Sequence, residues 1–531
     1  MNEMKEMRNY FIATLFATLL SLPVMGQDGW KVVHGDCTPA PEGEAFTRGT
    51  PRRLPAINKN WDADRIYKQM VILIEFDEKT PDDTSDDTKF TMESPLEYYD
   101  KLFNEPDHHE RNSNGCIADY FRDQSGGKLN LSFDVYGPVL VNEKAQPYDE
   151  PTSKTKNLGQ STLIAATKKV LEANPDVDYS QYDWNGNGSV NQVIYVYAGL
   201  PGNISSESCY GHIWPNTSSF TTVNTPDGKK ISNYTCSGEH WPLTSKALCG
   251  LGTICHEFTH SLGLPDIYPT TDGAGYSVCD EWDLMDGGNF TNYGFCPPNY
   301  TPLEKYLLGW ADFQELDEAT TVKDLKPSAD GGEIYRIKHT SSEWYLLENR
   351  QQDGWDLGAP GKGLVIYHVN YDGSAWSGNS VNNDKAKRRF KLVHADNKDY
   401  DTWDEEIGGV SPYANSGRMN NRHLSTSPYP YVTEEVVNDE LTDTSVPAAV
   451  MHYPEGTLMG KPITNIVQNE DGTVSFDFMG GTSAIATIKG GESLNDNKVY
   501  DLTGQPVNVQ RTGQIYIVRQ SDGTFRKYVA R

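Results

Sequence analysis

Cys255-His256-Glu257-Phe258-Thr259-His260-Ser261-Leu262-Gly263-Leu264-Pro265-Asp266 is the stretch that decides what kind of protein this is. The apolar run Ala247–Ile254 ahead of it suits a buried helix. On a helix continuing through His260, residues i and i+4 project from one face, so the imidazoles of His256 and His260 lie one turn apart. Two nitrogens so placed suit one tetrahedral metal ion, and Glu257 lies beside them. A helix cannot wrap around an ion, so a third ligand must come from elsewhere. Gly263 is free to take the left-handed conformation that ends a helix. Pro265 stiffens the returning chain, and Asp266 falls where that chain offers a third donor.

Zinc with three protein ligands lowers the pKa of a bound water from about 16 to near 7. Glu257 is then the residue to take a proton as hydroxide attacks a carbonyl and to deliver it to the leaving amine. Peptide hydrolysis is the reaction such a set supports best. Glu281, 21 residues after His260, competes with Asp266 as third ligand. That choice would leave Gly263 and the next segment without a role. In Glu281-Trp282-Asp283-Leu284-Met285-Asp286-Gly287-Gly288 a lone Met sits in a turn before two glycines. A thioether packed under the histidines is the floor used by metzincin-type sites. A different class of reading makes the chain an exported, non-catalytic adhesin or glycan-binding protein with a vestigial metal site. Vestigial sites typically lack the base or a ligand, whereas Glu257, His256, His260 and Asp266 are all present.

Outward from the motif, Met70-Val71-Ile72-Leu73-Ile74-Glu75-Phe76 is an apolar run of strand length. Residues 113–124 have helical spacing, Gly126-Gly127 stops them, and Leu129–Val135 alternates as a strand. Ser161–Ala173 reads as a second amphipathic helix and Val193–Tyr197 as another buried strand. Strands alternating with helices predict an α/β (α+β) catalytic domain over 66–318 with a twisted sheet and an active-site helix. Beyond it, short alternating strands between Gly- and Asp-rich turns predict a β-sandwich over 319–480. A small all-β domain follows over 487–531.

His256-Glu257-Phe258-Thr259-His260-Ser261-Leu262-Gly263-Leu264-Pro265-Asp266-Ile267-Tyr268 resembles the active-site signature of the immune inhibitor A family of secreted bacterial metallopeptidases. Ala118–Leu131, Glu304–Trp310, Trp344–Arg350 and Gly361–Val369 are similar to further elements of that family, so the likeness spans roughly 66–400. It implies a metzincin-like zinc endopeptidase acting on proteins or peptides, with Asp266 completing the site and Glu257 as base. The last forty or so residues resemble sorting-type domains of exported Bacteroidetes proteins. That likeness implies a Gram-negative host of that phylum and a secretion machinery as partner.

The rest of the chain fits export. Lys5 and Arg8 precede the apolar run Tyr10–Leu22 and small residues, the layout of a signal peptide over 1–26, and no other stretch is long enough for a transmembrane helix. The protein is therefore expected outside the cell or on its surface. Residues 27–65, with Arg48, Arg52 and Arg53, read as a propeptide or linker. The 531 residues carry a net charge of −28, which repels polyphosphate and excludes nucleic acid as a partner. Export allows the eight cysteines to pair, so disulfides are expected. Cys37 stands apart, as a disulfide partner or an inhibitory thiolate. Asp183, Asn185 and Asn187 alternate before Gly188 as in a calcium loop. An Asn-Gly turn between strands explains the same pattern.

Overall fold

The structure is a computed structural model. It describes residues 54–77, 88–141, 159–202, 213–240, 247–271, 277–399 and 424–482, and from the last part of the chain 499–500, 507, 515–519 and 525–529. The proposed signal peptide, most of the propeptide segment, and Cys37 and Cys209 lie outside these residues. The described residues up to Thr482 form one compact unit, and the residues from Ser483 form another.

The first sheet begins with β1 (Ile66–Phe76), whose apolar run is buried on both faces. Met70, Ile72, Ile74 and Phe76 enter one core and Tyr67, Val71 and Leu73 the other, as the period of two requires. After β1 come helices α1 (Pro95–Asn104) and α2 (Ile117–Gln124), then strand β2 (Asn130–Val141), helix α3 (Gln160–Ala173) and strands β3 (Val193–Tyr197), β4 (Asn216–Asn224) and β5 (Lys230–Gly238). Strand order is β2-β1-β3-β5-β4; only the edge strand β4 is antiparallel to its neighbour. Leu163, Ala166 and Val170 of α3 cover one face. The other face is covered by α1, α2 and the buried helix α4 (Gly252–Ser261), through Ile254, Cys255 and Phe258.

Past α5 (Pro302–Leu307) the chain is mostly strand. In order come β6 (Gln314–Glu315), β7 (Thr320–Leu325), β8 (Tyr335–Lys338), β9 (Glu343–Arg350), β10 (Gly363–Asn370), the short helix α6 (Gly373–Ser377) and β11 (Phe390–Leu392). Two ribbons follow, β12 (Tyr431–Val432) with β13 (Val437–Asn438) and β14 (Val450–Met451) with β15 (Thr457–Leu458), then β16 (Ile463–Gln468) and β17 (Val474–Phe478). A five-stranded sheet β11-β10-β9-β8-β6 shares its core with a three-stranded sheet β16-β17-β7, through Leu347, Ile366, Val322, Phe476 and Phe478. The opposite face of the larger sheet, with Trp344, Leu346, Val365, Tyr367 and Phe390, shares a core with Phe258 and Met285. Helix α4 is thus packed between two sheets. In the C-terminal unit, β18 (Val499–Tyr500), β19 (Ile515–Arg519) and β20 (Phe525–Val529) form an antiparallel sheet. Among the described residues no helix is long and apolar enough to cross a membrane.

The expected disulfides are not found among the described residues: no bridge joins any of Cys116, Cys236, Cys249, Cys255, Cys279 and Cys296, and all six are buried. Several are engaged locally instead. Cys116 caps α2, its sulfur accepting from the Asp119 amide while the Asp119 carboxylate accepts from the Cys116 amide. Cys296 donates to the carbonyl of Asn112 at 3.1 Å. Burial raises the thiol of Cys249 to about 11 and that of Cys116 to about 12, so both stay protonated and serve as small apolar fillers. Alkylation of the unreduced protein should label these six positions after denaturation and leave them untouched in the native state. Peptide mapping reads the outcome, and blocked cysteines in the denatured sample would show pairing.

Candidate metal centre

Helix α4 presents His256 and His260 from one face, with ring centroids 4.9 Å apart and planes crossed at 86°. The helix ends after one tight turn. Gly263 takes φ = 103°, its amide donating to the His260 carbonyl at 3.0 Å. A Cβ there would lie 2.8 Å from both the Pro55 carbonyl oxygen and the Cγ1 of Ile57, so glycine is required by backbone conformation and by close approach alike. The chain then brings back Asp266, which is fully buried. Among the described residues, His256, His260 and Asp266 form the one group of three or more His, Cys, Asp or Glu able to hold a metal ion, their ligand atoms all within 4.8 Å of one another. Glu281 is buried but does not join that group.

The hydrogen bonds around this group define what it can bind. Nδ1 of His256 donates to the carbonyl of Leu284 at 2.8 Å, and Nδ1 of His260 to the carbonyl of Leu264 at 2.8 Å. Carbonyls only accept, so each neutral ring carries its hydrogen on Nδ1 and turns a lone pair outward on Nε2. Both Nε2 atoms lie 3.1 Å from the same oxygen, Oδ1 of Asp266. Three buried acceptors facing one another could hold a metal ion between them. Tetrahedral ligands on zinc stand about 3.3 Å apart. Two imidazoles and a carboxylate are a donor set that zinc accepts, and the residues fit it. With protons on Nε2 in place of a metal ion, the imidazoles are cations that donate to Asp266; burial by itself would push its carboxyl up, but the charge of His260 and the hydrogen bonds from His256 and His260 outweigh it and hold the group well below the usual range.

Glu257 follows His256 on α4 and is buried with it. Its carbonyl accepts from the hydroxyls of Thr217 on β4 and Thr235 on β5, pinning the helix to the edge of the first sheet. Met285 is fully buried in the core beneath α4, and its loop works through the backbone. The carbonyl of Leu284 orients His256, and that of Met285 accepts from the Ile267 amide at 2.8 Å. Buried carboxylates hold the loop. Asp283 accepts from the Met285 amide at 2.7 Å, and Asp286 accepts from the amides of Val278, Cys279 and Asp280 at 2.8–2.9 Å. Glu304 caps α5 against Thr301. Burial raises Glu304 to about 7, and burial with the charges of Glu304 and Asp286 raises Asp283 as well.

Calcium is not supported at the Asp183 loop. Oδ1 of Asp183 accepts from the amide of Asn187 at 3.0 Å, and Oδ2 accepts from the amide of Gly188 at 2.8 Å and from the ammonium of Lys229 at 3.1 Å. The carboxylate is already satisfied by a turn and a lysine, and Asn185 and Asn187 line an adjoining cavity of about 570 Å³. Sequence reading missed Asn379, whose amide meets Asp266, because nothing in the order of residues links positions 113 apart.

Comparison with known proteins agrees with this geometry. Residues 58–305 match the family described as Immune inhibitor A peptidase M6, catalytic domain, and the match includes His256, Glu257, His260 and Asp266. Among curated proteins the chain is similar to Immune inhibitor A of Bacillus thuringiensis subsp. alesti, at 26% identity over 325 residues, covering 53% of this chain and 46% of that protein. It is also similar to Pre-pro-metalloprotease PrtV of Vibrio cholerae serotype O1 (strain M66-2), at 23% identity over 493 residues, covering 79% of this chain and 51% of that protein. The chain spans about half the length of the curated relatives it matches. These likenesses support a peptidase of the immune inhibitor A kind.

Two outcomes follow from the geometry. Gly263→Ala should destabilise the fold by about 1–3 kcal/mol through strain at positive φ, more if Pro55 and Ile57 fail to yield; thermal melting measures it. The raised carboxyl of Glu304 contributes stability that is full below 4.5, its ordinary value, and lost as the pH rises through about 7. Glu304→Gln, which keeps a hydrogen on the side chain at every pH, should flatten the fall in melting temperature between pH 5 and 8.

Proposed function

We propose that this chain is an exported zinc endopeptidase of the immune inhibitor A family, hydrolysing peptide bonds in proteins outside the cell. The observation that carries the reading is the convergence of His256 Nε2, His260 Nε2 and Asp266 Oδ1 as three buried acceptors on one spot. A zinc ion held by these residues supplies positive charge that polarises a peptide carbonyl and acidifies water. The chain's own groups do the rest. The carbonyls of Leu284 and Leu264 keep hydrogens off both Nε2 atoms and fix the ring planes. Glu257, one residue from His256 on a helix pinned to β4 and β5, takes the proton of the attacking water and hands it to the departing amine. Met285 shares the apolar core into which Ile254, Cys255 and Phe258 of that helix are packed. The signal-peptide layout of residues 1–26 supports export, and the sorting-like C-terminal unit supports passage by a dedicated secretion machinery.

Glu257→Ala should lower caseinolytic or gelatinolytic turnover by about 10²–10⁴-fold while zinc content stays at the wild-type level. Wild-type protein treated with a chelator should lose activity and regain it with zinc. Equal clearing by the wild type and Glu257→Ala would overturn the assignment. Asp266→Ala should lose bound zinc by metal analysis and Glu281→Ala should keep it; the reverse pattern would make Glu281 the third ligand.

A further inference from the structure

The oxygen of Asp266 that faces away from the imidazoles is held by a residue far outside the region matched to the peptidase family. Nδ2 of Asn379 donates to Asp266 Oδ2 at 2.7 Å, and the backbone amide of Asp266 donates to Oδ1 of the same Asn379 at 2.7 Å. One planar amide therefore brackets Asp266 through side chain and main chain together, which fixes both the position of the residue and the rotation of its carboxylate. Asn379 follows α6 at φ = 52°, a left-handed conformation that asparagine tolerates better than most residues.

The bracket belongs to a longer seam. Thr270 donates its hydroxyl to the Asn379 carbonyl at 2.6 Å and its amide to Oδ1 of Asn383 at 2.6 Å. The buried Asn382 donates to the carbonyls of Ile267 and Phe390, both at 2.8 Å. Leu54 reaches the same region, its amide donating to the carbonyl of Ser377 at the end of α6. The return loop after the histidine helix is thus laced, over Asp266–Thr270, to the segment that leads into β11.

We infer that Asn379 is a positioning residue for the metal centre. It occupies Oδ2 and so leaves Oδ1, the oxygen 3.1 Å from both histidines, to face the ion. This deepens the proposed function and rests on Asp266 being a ligand. The chemistry is specific: an aspartate at 379 would keep the acceptor for the Asp266 amide but set a second carboxylate against Oδ2. A glycine would keep the left-handed backbone and remove the bracket altogether.

Zinc affinity of the full chain, measured by competition with a chromophoric chelator, tests the inference. Asn379→Gly and Asn379→Asp should each bind zinc about 10–100-fold more weakly than the wild type. The visible absorption of the cobalt(II)-loaded variants should differ in shape from that of the wild type. Metal-free melting temperatures should stay within a few degrees of the wild type, separating ligand orientation from a loss of fold. Wild-type zinc affinity together with an unchanged cobalt spectrum in both variants would overturn the inference, even if melting temperatures fall. Asp266→Ala separates the two possible failures. If it keeps wild-type zinc affinity, Asp266 is no ligand and the bracket has nothing to position. If it loses zinc while the Asn379 variants do not, only the role of Asn379 falls.

Discussion

Two buried imidazole nitrogens each lie 3.1 Å from one buried carboxylate oxygen, three groups able to accept on one spot. Such an arrangement is unfavourable unless a cation neutralises it, because burying a carboxylate away from water costs several kcal/mol without a partner. The fold tolerates the arrangement because each acceptor is oriented from a different quarter. His256 is held by the loop over Met285, His260 by the return turn at Leu264, and Asp266 by Asn379. Each of these contacts turns a lone pair toward the centre and removes the alternative in which a side chain rotates away.

That demand explains the architecture around the helix. Helix α4 is buried along nearly its whole length, lying between the first sheet and the sheet that contains β9 and β10. The strand pair β9–β10 is itself buried on both faces, one toward α4 and one toward β7 and β17. A helix exposed on one side would fray within its last turn, and His260 stands in that last turn. The downstream sheet therefore supports the candidate metal centre by denying α4 a solvent-facing side.

Beneath the helix, the Met285 loop is held by ionisable groups rather than by apolar packing alone. Asp283 and Asp286 accept backbone amides of the loop. The fully buried Arg350 of β9 pairs with Glu348 and Asp356 close by. A buried side chain such as Asp286 that accepts three amide hydrogens fixes a loop in one conformation, since any slip leaves buried polar groups unsatisfied. Two carbonyls of the loop accept from His256 and from the Ile267 amide, so a conformation fixed here is passed on to His256 and to the turn that carries Asp266.

What the sequence determined by itself is local. Helical spacing put His256 and His260 on one face, Gly263 marked the reversal, and the order of residues placed Asp266 on the returning chain, because these depend on backbone geometry over a dozen positions. The strand at Met70–Phe76 and the helix near Ser161–Ala173 were legible for the same reason. Tertiary structure decided the rest. It chose which oxygen of Asp266 faces the histidines, through an asparagine 113 positions away. It set Lys229 against Asp183 where a calcium ion had been an option, and it kept six cysteines apart as buried thiols although export would permit bridges. Those outcomes depend on which distant side chains the packing of two sheets against one helix brings within about 3 Å, and periodicity carries no record of that distance.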